Sequence, residues 1–147
     1  MPKVIFDSTR TVFSTNVEVL VNHLNYGAHV GYDSVLSILQ DARMRWLKRH
    51  GLTEVSLEGP VGYVISEVAV NYKSEGFFGD VLDISLYPDS VGRKTFTLKY
   101  QITNLTTGRV MTVAETGHVG FNFGTRTLAP LPETFCGILN CPSLHQT

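Results

Sequence analysis

Two cysteines are all this chain has, Cys136 and Cys141, and both lie in its last dozen residues. A disulfide between them would staple only a short tail loop and leave the domain unconstrained. A metal site would need two more ligands, and the spacing offers none. Two reduced thiols in a cytoplasmic protein are therefore expected. Long apolar runs are missing too, since no window approaches the roughly 18 residues a membrane-spanning helix needs. Charge of one sign is equally scarce: 12 basic residues face 13 acidic ones, for a net charge of −1. That leaves no basic surface for nucleic acid. The N-terminus, MPKVIFDSTRTVF, has neither an apolar h-region nor a small-residue cleavage site, so no signal peptide is expected. The sequon at Asn104-Leu105-Thr106 is then expected to be idle. Internal repeats and low-complexity segments are absent. What is present, 147 residues with 43% apolar and 17% charged, suffices for one globular domain with a real core, residues 1–147.

Thr15 to Val21 alternates loosely through Val17, Val19 and Val21 and reads as a strand. Asp33 to His50 reads as one long helix, with Asp33 and Ser34 as candidate N-caps. Lys48, Arg49 and His50 close it and Gly51 stands at C′. Val35, Leu36, Leu39, Ala42, Trp46 and Leu47 form the expected buried face, widened by Ile38 and Met44. After Gly59-Pro60, Tyr63 to Tyr72 alternates around Ile65, Val68 and Val70. Val81 to Tyr87, Thr95 to Thr103 and Val110 to Phe123 follow, separated by Gly79-Asp80, Gly92 and Thr107-Gly108. Pro88 is expected to end its strand. A strand, a helix and then four adjacent strands predict α+β with an antiparallel sheet, its core about 10–134 before a short irregular tail.

The stretch Asn22 to Arg43 is the densest in chemical meaning. A polar loop holding Asn25, Tyr26, His29 and two glycines runs directly into the helix. Gly27 and Gly31 supply backbone freedom for a tight bend or close approach to a ligand. A helix start carries unpaired N–H groups and a positive dipole, so such a loop suits a polarised carbonyl or an anion.

These residues resemble the hotdog-fold acyl-CoA thioesterases, in the branch related to 4-hydroxybenzoyl-CoA thioesterase. That branch carries a signature like D-x-x-G-H-V-N-N before a helix that reads on to E-x-A-R. The matching residues are Asn25 to Tyr32 and then Gln40-Asp41-Ala42-Arg43, with no gap between His29 and Arg43. A Pro-Leu-Pro-Glu-like ending spans Leu128 to Glu133. The resemblance implies a curved antiparallel sheet wrapped around a central helix. It also implies hydrolysis of acyl-CoA without metal or redox cofactor, in homodimers or dimers of dimers with sites at the subunit boundary. The edge that a single such sheet leaves unpaired permits the same assembly, with a monomer whose edge strand is short or twisted as the plainer alternative. One departure stands out: Asn25 occupies the position of the family's catalytic Asp.

By the same resemblance, Tyr32 is the position whose backbone N–H polarises the thioester carbonyl. Asn25 cannot attack or take a proton, but it can orient a water or hold the acyl oxygen. The base is then expected from Asp33 or Asp41, eight residues apart on the helix, with Glu67 as an outside candidate. Each has a plainer reading: Asp33 as an N-cap, Asp41 as an ion-pair partner of Arg43 or Arg45. His29 is either a base or a backbone support, and with His23 it lacks a third metal ligand. Tyr26 either stacks on substrate or packs under the loop. Arg93 and Lys94 match the family's basic turn and are expected to bind CoA phosphates, with Lys73 and Arg126 behind them. Ordinary surface charge is the plain reading of all four. Against hydrolysis stands a non-catalytic acyl-CoA or acyl-carrier-binding protein. A hotdog dehydratase is disfavoured, because its pairing of a His with a Glu or Asp in a different loop-helix pattern is absent.

Overall fold

The structure, a computed structural model, describes residues 3–140. Cys141 lies outside these residues, and with it the question of a tail disulfide. The elements run β1 (Phe13–Glu18), α1 (Tyr32–Arg49), β2 (Val61–Tyr72), β3 (Val81–Val91), β4 (Thr95–Asn104), β5 (Arg109–Asn122), β6 (Thr127–Leu128) and α2 (Glu133–Asn140). One antiparallel sheet has the order β1-β3-β4-β5-β2, with β6 added to β5. β1 and β2 are its edges. The inner face of β4 is built from Phe96, Leu98, Tyr100 and Ile102, all buried, at the two-residue spacing of a strand with one face covered. Val35, Ile38, Leu39, Ala42, Trp46 and Leu47 of α1 complete that core.

α1 stops where the sequence says it should. Gly51 has φ +74°, and its N–H reaches Lys48 while that of Leu52 reaches Leu47. This pair of bonds is a Schellman motif, which a glycine at C′ makes accessible. The buried face is rotated from the expected one. Leu36 and Met44 are about half exposed, whereas Arg43 is buried; Ile38 is buried as expected. The buried arc centres on Val35, Leu39, Ala42 and Trp46, and Leu36 tilts out toward the β2 edge.

Three further corrections follow from the backbone. The first strand ends at Glu18, not Val21; Val19 still bonds to Asp80, and the chain then tightens into a 3₁₀ turn, Val21–His23. β3 passes through Pro88 to Val91 with a register shift after the proline. Pro88 sits beyond the last β1 pair, Phe13↔Leu86, and its carbonyl accepts from Arg10 on the vacated side. The N–H it lacks would face that same open side, so no ladder bond is lost. Up to Asn140 the expected irregular tail is instead helical: α2 places Phe135 against Trp46 and Phe96 and buries Leu139.

A bulge in β2 between Ile65 and Glu67 accounts for its odd spacing. It turns Ile65 and Val68, three residues apart, to the inner face. Both remain over 40% exposed on this unpaired edge.

Candidate active site

The approach to α1 is a closely bonded loop. His23 accepts the Leu20 N–H through Nδ1 at 2.8 Å and the Gly31 N–H through its carbonyl at 3.0 Å. Val30 donates to Gly76 at 2.8 Å, tying the loop to the chain that follows β2. Asn25 and His29 close the tip: Asn25 N–H donates to the His29 carbonyl, and Ala28, in the left-handed region at φ 61°, donates to the Asn25 carbonyl. Tyr26 stands fully exposed at this tip, so it does not pack under the loop.

Within the turn, Asn25 Oδ1 accepts the Gly27 N–H at 2.9 Å. Only an oxygen can accept there, which fixes the amide orientation and leaves Nδ2 with two donors to offer. His29 Nδ1 lies 3.1 Å from the Val30 carbonyl oxygen. A carbonyl only accepts, so Nδ1 carries a proton, and in the neutral tautomer Nε2 is the nitrogen with the lone pair. The imidazole lies across Gly27, where an added Cβ would meet Cδ2 at 2.9 Å and Nε2 at 3.0 Å. Position 27 therefore has to be glycine for the ring to sit there.

The N-cap of α1 is Gly31, and no side chain caps the helix. The expectation of Asp33 or Ser34 as cap is corrected: both lie inside the first turn, Asp33 exposed and Ser34 buried. The helix starts one residue earlier than expected, with Asn25 lying against its Gly31 N-cap. A Cβ at Gly31 would meet Asn25 Cβ at 3.3 Å and Asp33 Oδ1 at 3.0 Å. A Ser or Asp here would crowd both and would occupy the first N–H groups of the helix. Glycine leaves the Tyr32 N–H unclaimed by any cap, beside the Asn25 side chain.

Next to this helix start is a cavity of about 260 Å³, walled by His29, Val30, Val35, Tyr72, Met111 and Thr112. Tyr32 also lines it, its ring 4.6 Å from that of Tyr72, and Lys73 and Glu75 lie at its exposed side. Asn25, His29, Tyr32, Asp33 and Gly31 thus share one neighbourhood.

Other candidates lie elsewhere. Asp41 is two helical turns from Asp33, about 12 Å along the axis, and pairs with Arg45 at 2.8 Å. Its plain reading is the one the structure shows. Glu67 follows the β2 bulge and lines the outer sheet face with Glu115 and Thr97, away from α1. Arg93 and Lys94 flank the start of β4, where Thr95 pairs with Val119. Seven strand positions, about 24 Å, separate that pair from Thr112. Within one protomer they do not reach the helix start. Arg126 is at the same far end, its guanidinium over Phe121 and Phe123. Among the described residues no group of three potential ligands converges to hold a metal. No described helix is long and apolar enough to cross a membrane.

Reading the sequence did not anticipate the buried polar chain behind α1. Arg43 donates to Glu54 at 3.1 Å and to the Tyr100 hydroxyl at 3.2 Å, and Tyr63 also donates to Glu54. Tyr100 bonds Thr116 at 2.5 Å, and Thr116 bonds His118 Nε2 at 2.7 Å. Burial, and then the Arg43 charge, push the His118 pKa down to about 3, so the ring is neutral. Burial and the neighbouring Glu54 hold the Tyr63 phenol protonated. One signal was available: Arg43 falls at i+4 from Leu39, on the buried face of α1.

The curved antiparallel sheet closed around one long helix is the hotdog architecture. The sequence model of the thioesterase-like superfamily matches residues 19–139, and the chain belongs to that superfamily. Solved structures agree on the fold. A 1,4-dihydroxy-2-naphthoyl-CoA thioesterase from Synechocystis is 19% identical, with a TM-score of 0.79 over 88% of this chain and 96% of the other. A Staphylococcus aureus protein solved in complex with CoA is 23% identical, with a TM-score of 0.81 over 92% and 85%. A gentisyl-coenzyme A thioesterase is 20% identical, with a TM-score of 0.76 over 86% and 99%. No curated protein sequence matches the chain.

Proposed function

We propose that this protein hydrolyses acyl-CoA thioesters to the free acid and CoA. The observation that carries the reading is the uncapped helix start at Gly31 beside Asn25, whose oxygen is already engaged. Tyr32 N–H and Asn25 Nδ2 are then two donors for one carbonyl oxygen, the arrangement that stabilises a tetrahedral oxyanion. In the neutral ring, whose Nδ1–H bonds Val30, His29 Nε2 is the nitrogen that takes a proton from the attacking water. The water oxygen bonds the carbonyl carbon, the C–S bond breaks, and the departing thiolate takes up a proton. Asp33 is the second candidate for the base, being a carboxylate close to Gly31 and Asn25. The acyl group enters the cavity beside Tyr72, and CoA extends outward past Lys73. The superfamily membership and the fold shared with the CoA-bound Staphylococcus aureus protein support this choice of substrate class.

The test is release of free thiol across short, long and aromatic acyl-CoAs. Turnover of at least one series above the uncatalysed rate supports hydrolysis. Saturable binding with no turnover favours the second reading, a non-catalytic acyl-CoA-binding protein, which the Asn at position 25 makes specific. In either case the unpaired β2 edge, with Ile65 and Val68 exposed, fits a homodimer whose site lies near the boundary.

A further inference from the structure

We propose that the cleft between α1 and the β2 edge is a second small-molecule site, which holds an alkyl carboxylate by its charged end on Arg43. The inference goes beyond the thioesterase reading, because this cleft shares no lining residue with the cavity beside the helix start. Its buried lining is Leu39, Arg43 and Thr116, and its exposed rim includes Leu36 of α1 with Ile65 and Val68 of β2. A guanidinium offers five N–H donors. Two are engaged here, with Nε donating to Glu54 at 3.1 Å and Nη1 to the Tyr100 hydroxyl at 3.2 Å. Nη2 bonds no described group. Unlike the Thr112 hydroxyl or the Trp46 indole nitrogen, it is not sealed from solvent, and the Arg43 side chain keeps 7% of its surface. The groups around it are already taken. Glu54 receives Arg43, Gln40 and the Tyr63 hydroxyl, and Thr116 is bonded to both Tyr100 and His118.

A nearly buried charge with unfilled donors is costly unless a polar group meets them. Water entering the cleft would meet Nη2 but leave Leu36, Ile65 and Val68 wet, each more than 40% exposed. An alkyl chain covers those three side chains. A carboxylate at its end matches the fork of Nη1 and Nη2 with two parallel N–H···O bonds. An alcohol brings one oxygen where the fork offers two donors, and an ammonium is repelled by the Arg43 charge. Glu54 does not block the anion, because its own charge is spread over three donors on another edge of the guanidinium. Acids of this class are what hydrolysis of an acyl thioester releases.

Octanoate, 1-octanol and octylammonium are titrated into the full chain by calorimetry at neutral pH, while the Arg43 Nε–H resonance is followed by NMR. Octanoate is expected to bind at least about tenfold more tightly than 1-octanol, the value of one charge-assisted hydrogen bond, and to shift that resonance. Octylammonium is expected not to bind. Leu36→Glu leaves Arg43 and its partners in place but sets a negative charge at the rim, and it is expected to weaken octanoate to a similar extent. Arg43→Lys, which keeps a charge beside Glu54 but lacks the fork, is expected to do the same; if it fails to fold, Leu36→Glu decides. Asn25→Ala is expected to bind octanoate as wild type does. Equal affinity for acid and alcohol overturns the proposal. So does binding that Asn25→Ala abolishes and Leu36→Glu leaves intact, which places the acid at the helix start. A second copy filling the cleft overturns it too: wild type then binds no octanoate, and Leu36→Glu lowers the mass seen by light scattering. None of these readouts requires turnover, so failure of the thioesterase reading is a separate result.

Discussion

Asn25 Oδ1 is committed to the Gly27 N–H at 2.9 Å, and this single bond reverses the chemistry expected of its position. A carboxylate here would accept the same N–H with one oxygen and present the other, negatively charged, to the substrate. The amide presents –NH₂ instead. In the proposed hydrolysis this position therefore acts as a donor rather than a nucleophile or base, and the base comes from a neighbour.

That neighbour is testable by paired substitutions. His29→Gln keeps a donor for the Val30 carbonyl but removes the basic ring nitrogen, and kcat is expected to fall about 10²–10³-fold. Asp33→Asn, at an exposed first-turn position, is expected to cost less than threefold. The opposite ranking in steady-state assays would move the base to Asp33.

The basic residues proposed to hold CoA separate by distance. Lys73→Ala is expected to raise KM several-fold with kcat little changed, because a phosphate contact made equally in ground and transition states acts on binding. Arg93→Ala with Lys94→Ala is expected to change KM only if a partner subunit brings that turn to the site. Titrating KM against protein concentration through the dissociation range distinguishes the two.

Assembly follows from the β2 edge. Light scattering at micromolar concentration is expected to give a dimer or a multiple of it, and Val68→Lys, a charge on the exposed inner edge, is expected to shift the population toward monomer. A wild-type mass near 16 kDa would remove the shared-site picture.

His118 sets a pH dependence of folding. Its pKa is about 3 when folded, below the ordinary histidine value, so the unfolded chain binds the extra proton first. Stability is therefore fully present above about pH 6.5 and falls as pH drops toward 3, with a slope near 1.4 kcal/mol per pH unit from this one group. His118→Phe, stacked on Phe96 as the imidazole is, should flatten that slope in denaturant titrations between pH 6 and 4. An unchanged slope would assign the acid sensitivity to other groups.

Much of this was legible in the residues. The helix end at Gly51, the alternation of β4 and the grouping of Asn25, His29 and Tyr32 each follow from local chemistry that tertiary packing reinforces. What escaped was set by distant contacts. Pro88 stays in its strand because β1 ends two residues short of it. Asp33 is not the cap because the helix begins at Tyr32 on a Gly31 that lies against Asn25, a contact between loop and helix start that residue type alone does not encode. The separation of Asp41, Glu67, Arg93 and Lys94 from the helix start depends on strand order and register, which spacing along one chain does not encode. The α2 helix was missed because Phe135 and Leu139 find their partners only on Trp46, Phe96 and the sheet beneath.

The most direct test of the donor role of Asn25 is the turnover number of Asn25→Asp on the best acyl-CoA substrate at neutral pH, beside Asn25→Ala. Both are expected to lose about 10²–10³-fold in kcat, since one lacks the donor and the other sets a negative charge against the developing oxyanion. Asn25→Asp with turnover equal to or above wild type would contradict the account, and would show that the loop is built for a carboxylate after all.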